Sequence, residues 1–258
     1  MSDVGQDRAA PLAIGTVLGR AVGVMTGNPL TVFSIAFLFG ALPQVLLTFF
    51  TQVNPAGDSL AQAGLVALYV GYFVVFILCS ALSQAALVRA TSAYLDGRVA
   101  GLAECVRAGI GKAIPVIGLS ILFTLGLMFG LLLLVVPGII LFVRWSVASA
   151  ALVEEDGGVI EAFSRSNELT RGARWHVFFL MIIVLVISWL ISAIATVPAL
   201  MAGLDQANAV PTATSIALTL VTSTITTALW STVVTSLYFS LRDRRDGPRS
   251  QQLADVFA

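Results

Sequence analysis

Long stretches that lack any charged residue constrain this chain more than any other feature of its sequence. A helix needs roughly 20 apolar residues to cross about 30 Å of hydrocarbon. Four stretches meet that length without interruption: 30–50, 65–88, 177–198 and 214–241. The composition agrees, because 58% of the residues are hydrophobic and 11% are charged, whereas soluble domains are usually about 45–50% apolar and about 25% charged. Lipid is therefore the predicted solvent.

A fifth apolar stretch, 113–153, is too long for one crossing and carries Arg144 as its only charge. Proline interrupts helical hydrogen bonding and glycine permits a chain reversal. Pro137 and Gly138 are therefore predicted to divide the stretch into spans at 114–136 and 139–153. Six transmembrane helices result, and the predicted fold class is an all-α polytopic membrane protein.

Basic residues fall on one side of the predicted membrane. Of the 14 lysines and arginines, all except Arg144 lie in the terminal segments or in the connections that follow the second and fourth spans. The connections on the other side, at 51–59, 137–138 and 202–211, carry none. Because cationic residues in short loops are retained in the cytoplasm, both termini are predicted to be cytoplasmic.

An internal repeat relates the first and last parts of the chain. A shift of 145 residues places Arg20 on Arg165 and Gly27 on Gly172. The central part, around Arg107, follows the same plan after losing about three residues. Parallel repeats commonly pack around an axis along the membrane normal, which predicts a quasi-threefold bundle. The alternative is that any amphipathic helix entering a membrane shows this pattern. Each predicted unit is an interfacial helix followed by two spans, and the units and the cytoplasmic tail lie at about 12–90, 100–153, 157–241 and 242–258.

The third interfacial segment has a charged face that is a candidate docking site. Its apolar residues recur every three or four positions, as on one side of an amphipathic helix. The opposite side carries Glu161, Arg165, Glu168 and Arg171. Glu161 precedes Arg165 by four residues, which is the favourable order for an ion pair within a helix. Recruitment of a cytoplasmic partner is one interpretation, and a solvated helix is the other.

The first interfacial segment has a glycine stripe. Gly15, Gly19, Gly23 and Gly27 follow one another every four residues and so share one helical face. Glycine costs about 1 kcal/mol relative to alanine within a helix, so four in register predict close packing against a neighbouring helix. Self-association through this face, giving a homo-oligomer, is the alternative.

Arg144 is the one charge inside a predicted span. A cation at the bilayer centre costs at least about 2.5–3.5 kcal/mol on insertion scales, and no Asp or Glu lies in any predicted span. Its partner is therefore expected to be a carbonyl, a neutral polar side chain such as Gln44 or Gln84, water or an external anion. It also lies close enough to Gly138 to extend toward the outer interface. Structural anchoring and binding of an anionic headgroup are the two interpretations.

The sixth span is rich in hydroxyl side chains on more than one face. Each interhelical hydrogen bond in a membrane contributes about 0.6 kcal/mol, so helix packing is the default explanation. The alternative is a polar cavity between this helix and Arg144. The candidate ligand-binding residues of that cavity are Arg144, Trp145, Gln84, Thr222 and Thr226.

The chain lacks the residues of most catalytic and cofactor sites. Its one histidine, His176, excludes a zinc-binding histidine cluster, and neither a complete phosphate-binding loop nor a GxSxG nucleophile elbow occurs. The formal net charge is zero and no basic run contains interleaved aromatics, which argues against nucleic acid as a partner. We therefore predict no enzymatic activity and no cofactor.

The stretch 136–178 resembles the membrane domain attached to some bacterial glycerophosphoryl diester phosphodiesterases, and the related YciC-like inner-membrane proteins. The matching elements are Pro137 with Gly138, Arg144 with Trp145, the acidic cluster with Gly157, the 162–166 helix, Leu169, Gly172 and Trp175. The resemblance implies a six-span architecture, a bacterial inner membrane and an association with lipid-related chemistry. It supplies no catalytic residue, because catalysis in the fused proteins belongs to a separate soluble domain.

Two functional hypotheses follow. In the first, a non-enzymatic bundle binds or helps to move a membrane lipid or another amphiphilic anion, with Arg144 receiving the headgroup and the sixth span lining the cavity. In the second, the protein is a membrane scaffold or regulatory protein whose interfacial helices recruit a cytoplasmic protein partner through residues 161–171.

Overall fold

The computed structural model describes residues 13–46, 59–155, 157–203 and 213–247. Within these ranges the protein is all-α. The helices are α1 (Ile14–Gly27), α2 (Pro29–Leu46), α3 (Ser59–Leu95), α4 (Leu102–Leu133), α5 (Val135–Trp145), α6 (Ala148–Glu154), α7 (Val159–Thr170), α8 (Arg174–Gly203) and α9 (Ala213–Asp246). Six spans are long and apolar enough to cross a membrane, with α5 and α6 together forming the fourth. The predicted polytopic membrane protein is confirmed. The last residues of the predicted first span, 47–50, lie outside the described residues.

The turn between the third and fourth spans lies before the predicted position. Leu134, with φ −167° and ψ 147°, separates α4 from α5. Pro137 occupies the first turn of α5, where a helix needs no backbone N–H donor, so it does not interrupt hydrogen bonding. Gly138 serves close packing instead, because a Cβ atom on Gly130 of α4 would lie 3.0 Å from Gly138 Cα. The predicted break at Pro137 and Gly138 is therefore wrong.

The predicted repeat plan changes in its central unit. α1 and α7 are separate short helices that precede spans, as expected for the first and third units. In the central unit α4 runs without interruption from Leu102 to Leu133 and includes Pro115. Its interfacial part and its span therefore form one helix, and the separate interfacial helix predicted there is wrong. The predicted tail also begins as helix, because α9 continues to Asp246, and residues 248–258 lie outside the described ranges.

The six spans form a ring in which each contacts the next in chain order. α2 contacts α3 and α9, α3 contacts α4, α4 contacts α5, and α8 contacts both α5 and α9. α3 also contacts α9 directly. The chain turns at Ser146 and Val147, and α6 then contacts α3, α4 and α9 together. Its Ala148, Ala151 and Leu152 are buried. α6 therefore fills the centre of the ring at the end where α7 lies.

That end of the bundle, which also carries α1 and the last turns of α9, is called the basic end below. Arg20 of α1 and Arg165 of α7, the residues related by the repeat, both pair with aspartates near the end of α9. Arg20 Nη1 lies 3.4 Å from Asp243 Oδ2. Arg165 pairs with Asp246 and donates a hydrogen bond from Nε to Glu155 Oε1 at 2.9 Å. Burial lowers the pKa of Arg165, but its hydrogen bonds to Glu155 and Asp246 outweigh burial and hold the pKa above its ordinary value. The guanidinium therefore stays charged and ties α7 to α9.

The glycine stripe of α1 does not pack as predicted. A Cβ atom on Gly15, Gly19 or Gly23 would meet no described atom within 4 Å. A Cβ atom on Gly27 would overlap the ring of Tyr94 on α3. The prediction of close packing is therefore wrong for the first three glycines and confirmed for Gly27. Self-association through the open part of this face stays a prediction.

We expect Gly19→Ala and Gly27→Ala to change stability in opposite directions. Gly19→Ala should raise the free energy of unfolding by up to about 1 kcal/mol, because alanine has the higher helix propensity and meets no neighbour. Gly27→Ala should lower it by about 1–3 kcal/mol, because the new methyl group overlaps Tyr94. Unfolding of the purified protein in detergent, followed by circular dichroism, measures both. A loss of stability in Gly19→Ala would contradict the open face seen among the described residues.

We expect Arg165→Ala to destabilise the protein more than Arg20→Ala. Arg165 donates hydrogen bonds to two carboxylates and its side chain is 25% exposed, so its loss should cost about 1–3 kcal/mol. Arg20 and Asp243 are more exposed, and the loss of that pair should cost under about 1 kcal/mol. Arg171→Ala removes an equal charge from an exposed position after α7 and is the control. Equal effects of Arg165→Ala and Arg171→Ala on unfolding would contradict this role.

Candidate functional site

A cavity of about 660 Å³ lies inside the ring of spans. All six spans contribute to its wall. The lining residues are Gly40, Gln44, Phe76, Ser80, Ser83, Gln84, Leu87, Val88, Leu119, Ser120, Phe123, Thr124, Phe142, Trp145, Ser146, Ser149, Met181, Leu185, Ser188, Trp189, Thr226, Thr227, Trp230, Ser231 and Val234. Ser149, near the start of α6, lines the cavity, and α6 continues from there toward the basic end. At its last residue, Glu154, the carboxylate accepts a hydrogen bond from the hydroxyl of Ser92. The cavity and the charged groups of the basic end are therefore separated by α6.

The polar part of the lining is neutral. It consists of serine and threonine hydroxyls and the amides of Gln44 and Gln84, and none of the lining residues has an ionisable side chain. A π-helical segment in α2, Ala36–Ala41, precedes Gln44 and contains Gly40. A Cβ atom on Gly40 would lie 2.8 Å from Thr227 Cγ2, so glycine permits α2 to approach α9 here. Such π-helical segments occur frequently at functional sites.

Four hydroxyls of the lining are buried and have no hydrogen-bond partner among the described residues. They belong to Ser83, Ser188, Thr226 and Ser231 and are called the four unpaired hydroxyls below. Ser83 is 2% exposed and Ser231 8%. A buried hydroxyl without a partner costs about 1–3 kcal/mol, and a site that keeps four of them has a specific reason to do so. The oxygen atoms themselves have almost no accessible surface, and a rotation about the Cα–Cβ bond is what would turn each hydroxyl toward a molecule in the cavity.

Other hydroxyls of α9, in contrast to Thr226 and Ser231, have hydrogen-bond partners. Thr222 Oγ1 donates to Leu218 O at 2.9 Å, and Thr232 and Thr235 donate to the carbonyls of Ala228 and Ser231 at 2.8 Å. Within a membrane such bonds to the preceding turn satisfy the hydroxyl inside its own helix. The hydroxyl-rich α9 therefore has two kinds of hydroxyl, and only the unpaired kind keeps its hydrogen-bonding capacity.

Aromatic rings form the apolar part of the wall. Phe142 of α5 lies between Phe123 and Trp230, with ring centroids 6.2 and 6.5 Å away. Trp145 packs against Phe163 of α7, with ring centroids 4.7 Å apart and ring planes tilted by 56°. Gly126 makes room for it, because a Cβ atom there would overlap the indole ring. The two glycines of α4, Gly126 and Gly130, therefore allow α5 and its aromatic side chains to lie close against α4.

The cavity reaches the outer surface of the bundle at α8. Leu185 and Trp189 line it, yet they are 48% and 75% exposed. The cavity is therefore open to the surroundings of the bundle beside α8.

Arg144 lies outside this cavity. Its Nε donates to Asn167 Oδ1 of α7 at 2.7 Å, and Arg174 Nη2 donates to the same oxygen at 3.2 Å. The adjacent turn is held by Ser166, whose Oγ donates to Arg144 O at 2.9 Å and accepts from Val147 N at 3.3 Å. Arg144 and Ser166 together fix the turn that directs α6 into the ring. Arg144 therefore has a neutral polar partner, as expected, but this partner is Asn167 on the interfacial helix α7 and not a residue of a span.

Comparison with known proteins gives one family. A family model described as a domain of unknown function, DUF7847, matches residues 12–241. The chain belongs to the DUF7847 family. No curated protein and no solved structure matches it.

In this DUF7847 protein the structure brings together part of the predicted ligand site. Trp145, Gln84 and Thr226 line the cavity, whereas Arg144 and Thr222 do not. Ser83, Ser188 and Ser231 were not among the candidates. A signal was available for Ser83, because Phe76, Ser80, Ser83, Gln84, Leu87 and Val88 follow one another at helical spacing along α3. No comparable pattern marks Ser188.

The charged face of α7 is largely occupied within the same chain. Glu161 Oε2 accepts a hydrogen bond from Gly158 N at 2.9 Å and caps the helix start. Arg165 binds Glu155 and Asp246, and its Nη1 lies 3.9 Å from Glu168 Oε2. Arg171 is exposed. The face predicted to recruit a partner therefore also holds the basic end of the DUF7847 fold together.

We expect Arg144→Ala to lower the stability of the protein and to leave lipid retention unchanged. The variant removes a charged donor from Asn167 and should cost about 1–3 kcal/mol in unfolding free energy. Asn167→Ala should cost a similar amount, and the double variant should fall short of the sum because the residues act on each other. Denaturant unfolding in detergent measures stability, and native mass spectrometry measures co-purified lipid. Loss of bound lipid at unchanged stability would support a headgroup role for Arg144 instead.

Proposed function

We propose that this protein is a non-enzymatic multi-pass membrane protein that binds a membrane amphiphile in its central cavity. The observation that carries the proposal is the set of four unpaired hydroxyls inside an aromatic-walled cavity that opens to lipid at Trp189. The volume, about 660 Å³, falls within the roughly 300–1,000 Å³ of ligand pockets, and a mostly apolar wall with few polar groups is typical of them.

The surroundings of the hydroxyls favour binding over catalysis. A serine or threonine nucleophile requires a general base within hydrogen-bond reach. No histidine, carboxylate or lysine lines the cavity, so its hydroxyls have no group that would accept a proton from them. Their chemistry is therefore donation and acceptance of hydrogen bonds to a bound molecule.

We also propose that the basic end lies in the cytoplasm and that the membrane is a bacterial inner membrane. The charge asymmetry of the connections supports the orientation. The resemblance of 136–178 to the membrane domain of glycerophosphoryl diester phosphodiesterases supports both the membrane and an involvement with lipids. Movement of the bound amphiphile between leaflets or to a partner belongs to the same proposal.

A role as a scaffold that recruits a cytoplasmic partner has less support. Arg165, the centre of the predicted docking face, is engaged by Glu155 and Asp246. A partner that bound it would have to displace these carboxylates. We therefore place lipid binding first.

The decisive variant is Thr226→Val combined with Ser231→Ala, with Thr222→Val as the matched control. The double variant removes two unpaired hydroxyls and keeps the shape of the wall, whereas Thr222 has its hydrogen bond within α9 and does not line the cavity. Each lost hydrogen bond is worth about 0.5–1.5 kcal/mol, so lipid retained through purification should fall about tenfold in the double variant. Native mass spectrometry of the detergent-extracted full chain measures the bound lipid. Wild-type protein without bound lipid, or an equal fall in Thr222→Val, would refute the proposal.

A further inference from the structure

The charge of the cavity restricts what it binds. None of its lining residues is ionisable. Two arginines adjoin lining residues in sequence, and neither lines the cavity. Arg89 follows Val88, and Arg144, which precedes Trp145, turns its guanidinium to Asn167 on α7. A phosphate in this cavity would lose its water without gaining a countercharge. Burial of an unpaired ion costs several kcal/mol even after relaxation, and a hydrogen-bonded neutral group avoids that cost. The cavity therefore favours a head without charge.

The four unpaired hydroxyls restrict the head further. They come from three helices, with Ser83 on α3, Ser188 on α8, and Thr226 and Ser231 on α9. A hydroxyl both donates and accepts hydrogen bonds. A head with alcohol groups, with or without an ester carbonyl, offers the same two functions and satisfies several of these side chains at once. A pure hydrocarbon would leave them all without partners.

The opening at α8 restricts the rest of the ligand. Leu185 and Trp189 line the cavity and are exposed at its opening in an apolar span. A volume of about 660 Å³ is that of a site for a drug-sized ligand, so it holds a small head with the first part of a chain. The remainder of an acyl chain would extend past Trp189 among the lipid tails.

We infer that the cavity selects an uncharged, hydroxyl-bearing lipid of the acylglycerol class, held at its head by the four unpaired hydroxyls and exchanged laterally with the bilayer past Trp189. This inference rests on the proposed function and specifies its ligand. It departs from the sequence-based expectation of an anionic lipid, because Arg144 does not reach the cavity.

The test uses two lipids that differ only in a phosphate. The full chain is reconstituted in phosphatidylcholine nanodiscs and labelled with a diazirine-bearing monoacylglycerol, and the labelled peptides are identified by mass spectrometry. Unlabelled monooleoylglycerol and monooleoylglycerol phosphate then compete for the same site. We expect labelling on α3, α8 and α9 at cavity residues. We also expect the neutral lipid to compete at a concentration about tenfold or more below that of its phosphate.

Variants separate the outcomes. Thr226→Val with Ser231→Ala should lower cavity labelling about tenfold, whereas Thr222→Val should leave it unchanged. Competition by the phosphate lipid that equals or exceeds that of the neutral one would overturn the ligand class and leave the proposed function standing. A parallel loss of that competition in Arg144→Ala would assign the headgroup to Arg144. Labelling that is confined to lipid-facing residues such as Ile114 and Ile121 of α4, and insensitive to both competitors, would overturn the proposed function as well.

Discussion

Hydrocarbon contains no hydrogen-bond partner, and this constraint shapes both the fold and the candidate site. The backbone meets it by forming helices, in which every span satisfies its own N–H and C=O groups. Polar side chains meet it in two ways. Thr222, Thr232 and Thr235 donate to carbonyls in the preceding turn of α9. Thr226 and Ser231 do not, and both belong to the cavity wall, whereas Ser236 also has no partner among the described residues but does not line the cavity. The unpaired hydroxyls of the wall therefore keep hydrogen-bonding capacity that a bound molecule can satisfy.

The turn between α5 and α6 gives the ring its interior. Ser166 of α7 binds both sides of this turn, at Arg144 O and at Val147 N. α6 then enters the ring and buries Ala148, Ala151 and Leu152 among the neighbouring helices. If the span continued straight from α5, its second half would be part of the wall of the ring. The centre of the ring would then be unfilled at the basic end. The small side chains of α6 allow three other helices to pack around it, and the space beyond Ser149 remains as the cavity.

Charged side chains lie at the basic end of the bundle, and the polar side chains of the cavity are neutral. At the basic end, arginines pair with carboxylates: Arg20 with Asp243, and Arg165 with Glu155 and Asp246. Arg144 lies between that end and the cavity and binds the neutral Asn167. The cavity itself has hydrogen-bonding groups without charge. The depth at which a polar group lies therefore determines whether it is ionic, because the cost of an unpaired charge grows as water is excluded.

Sequence by itself determined the solvent, the helical class and the number of spans, since long uncharged stretches are stable only as helices in lipid. It also indicated the relation between Arg20 and Arg165 and three residues of the cavity, Trp145, Gln84 and Thr226. Tertiary structure alone decided the rest. The four unpaired hydroxyls and the partner of Arg144 depend on which helices are neighbours, and the open face of the α1 glycines depends on what packs against them. Spacing along one helix does not contain that information, because a hydroxyl that forms no bond within its own helix finds or lacks a partner according to which side chains surround it in the ring.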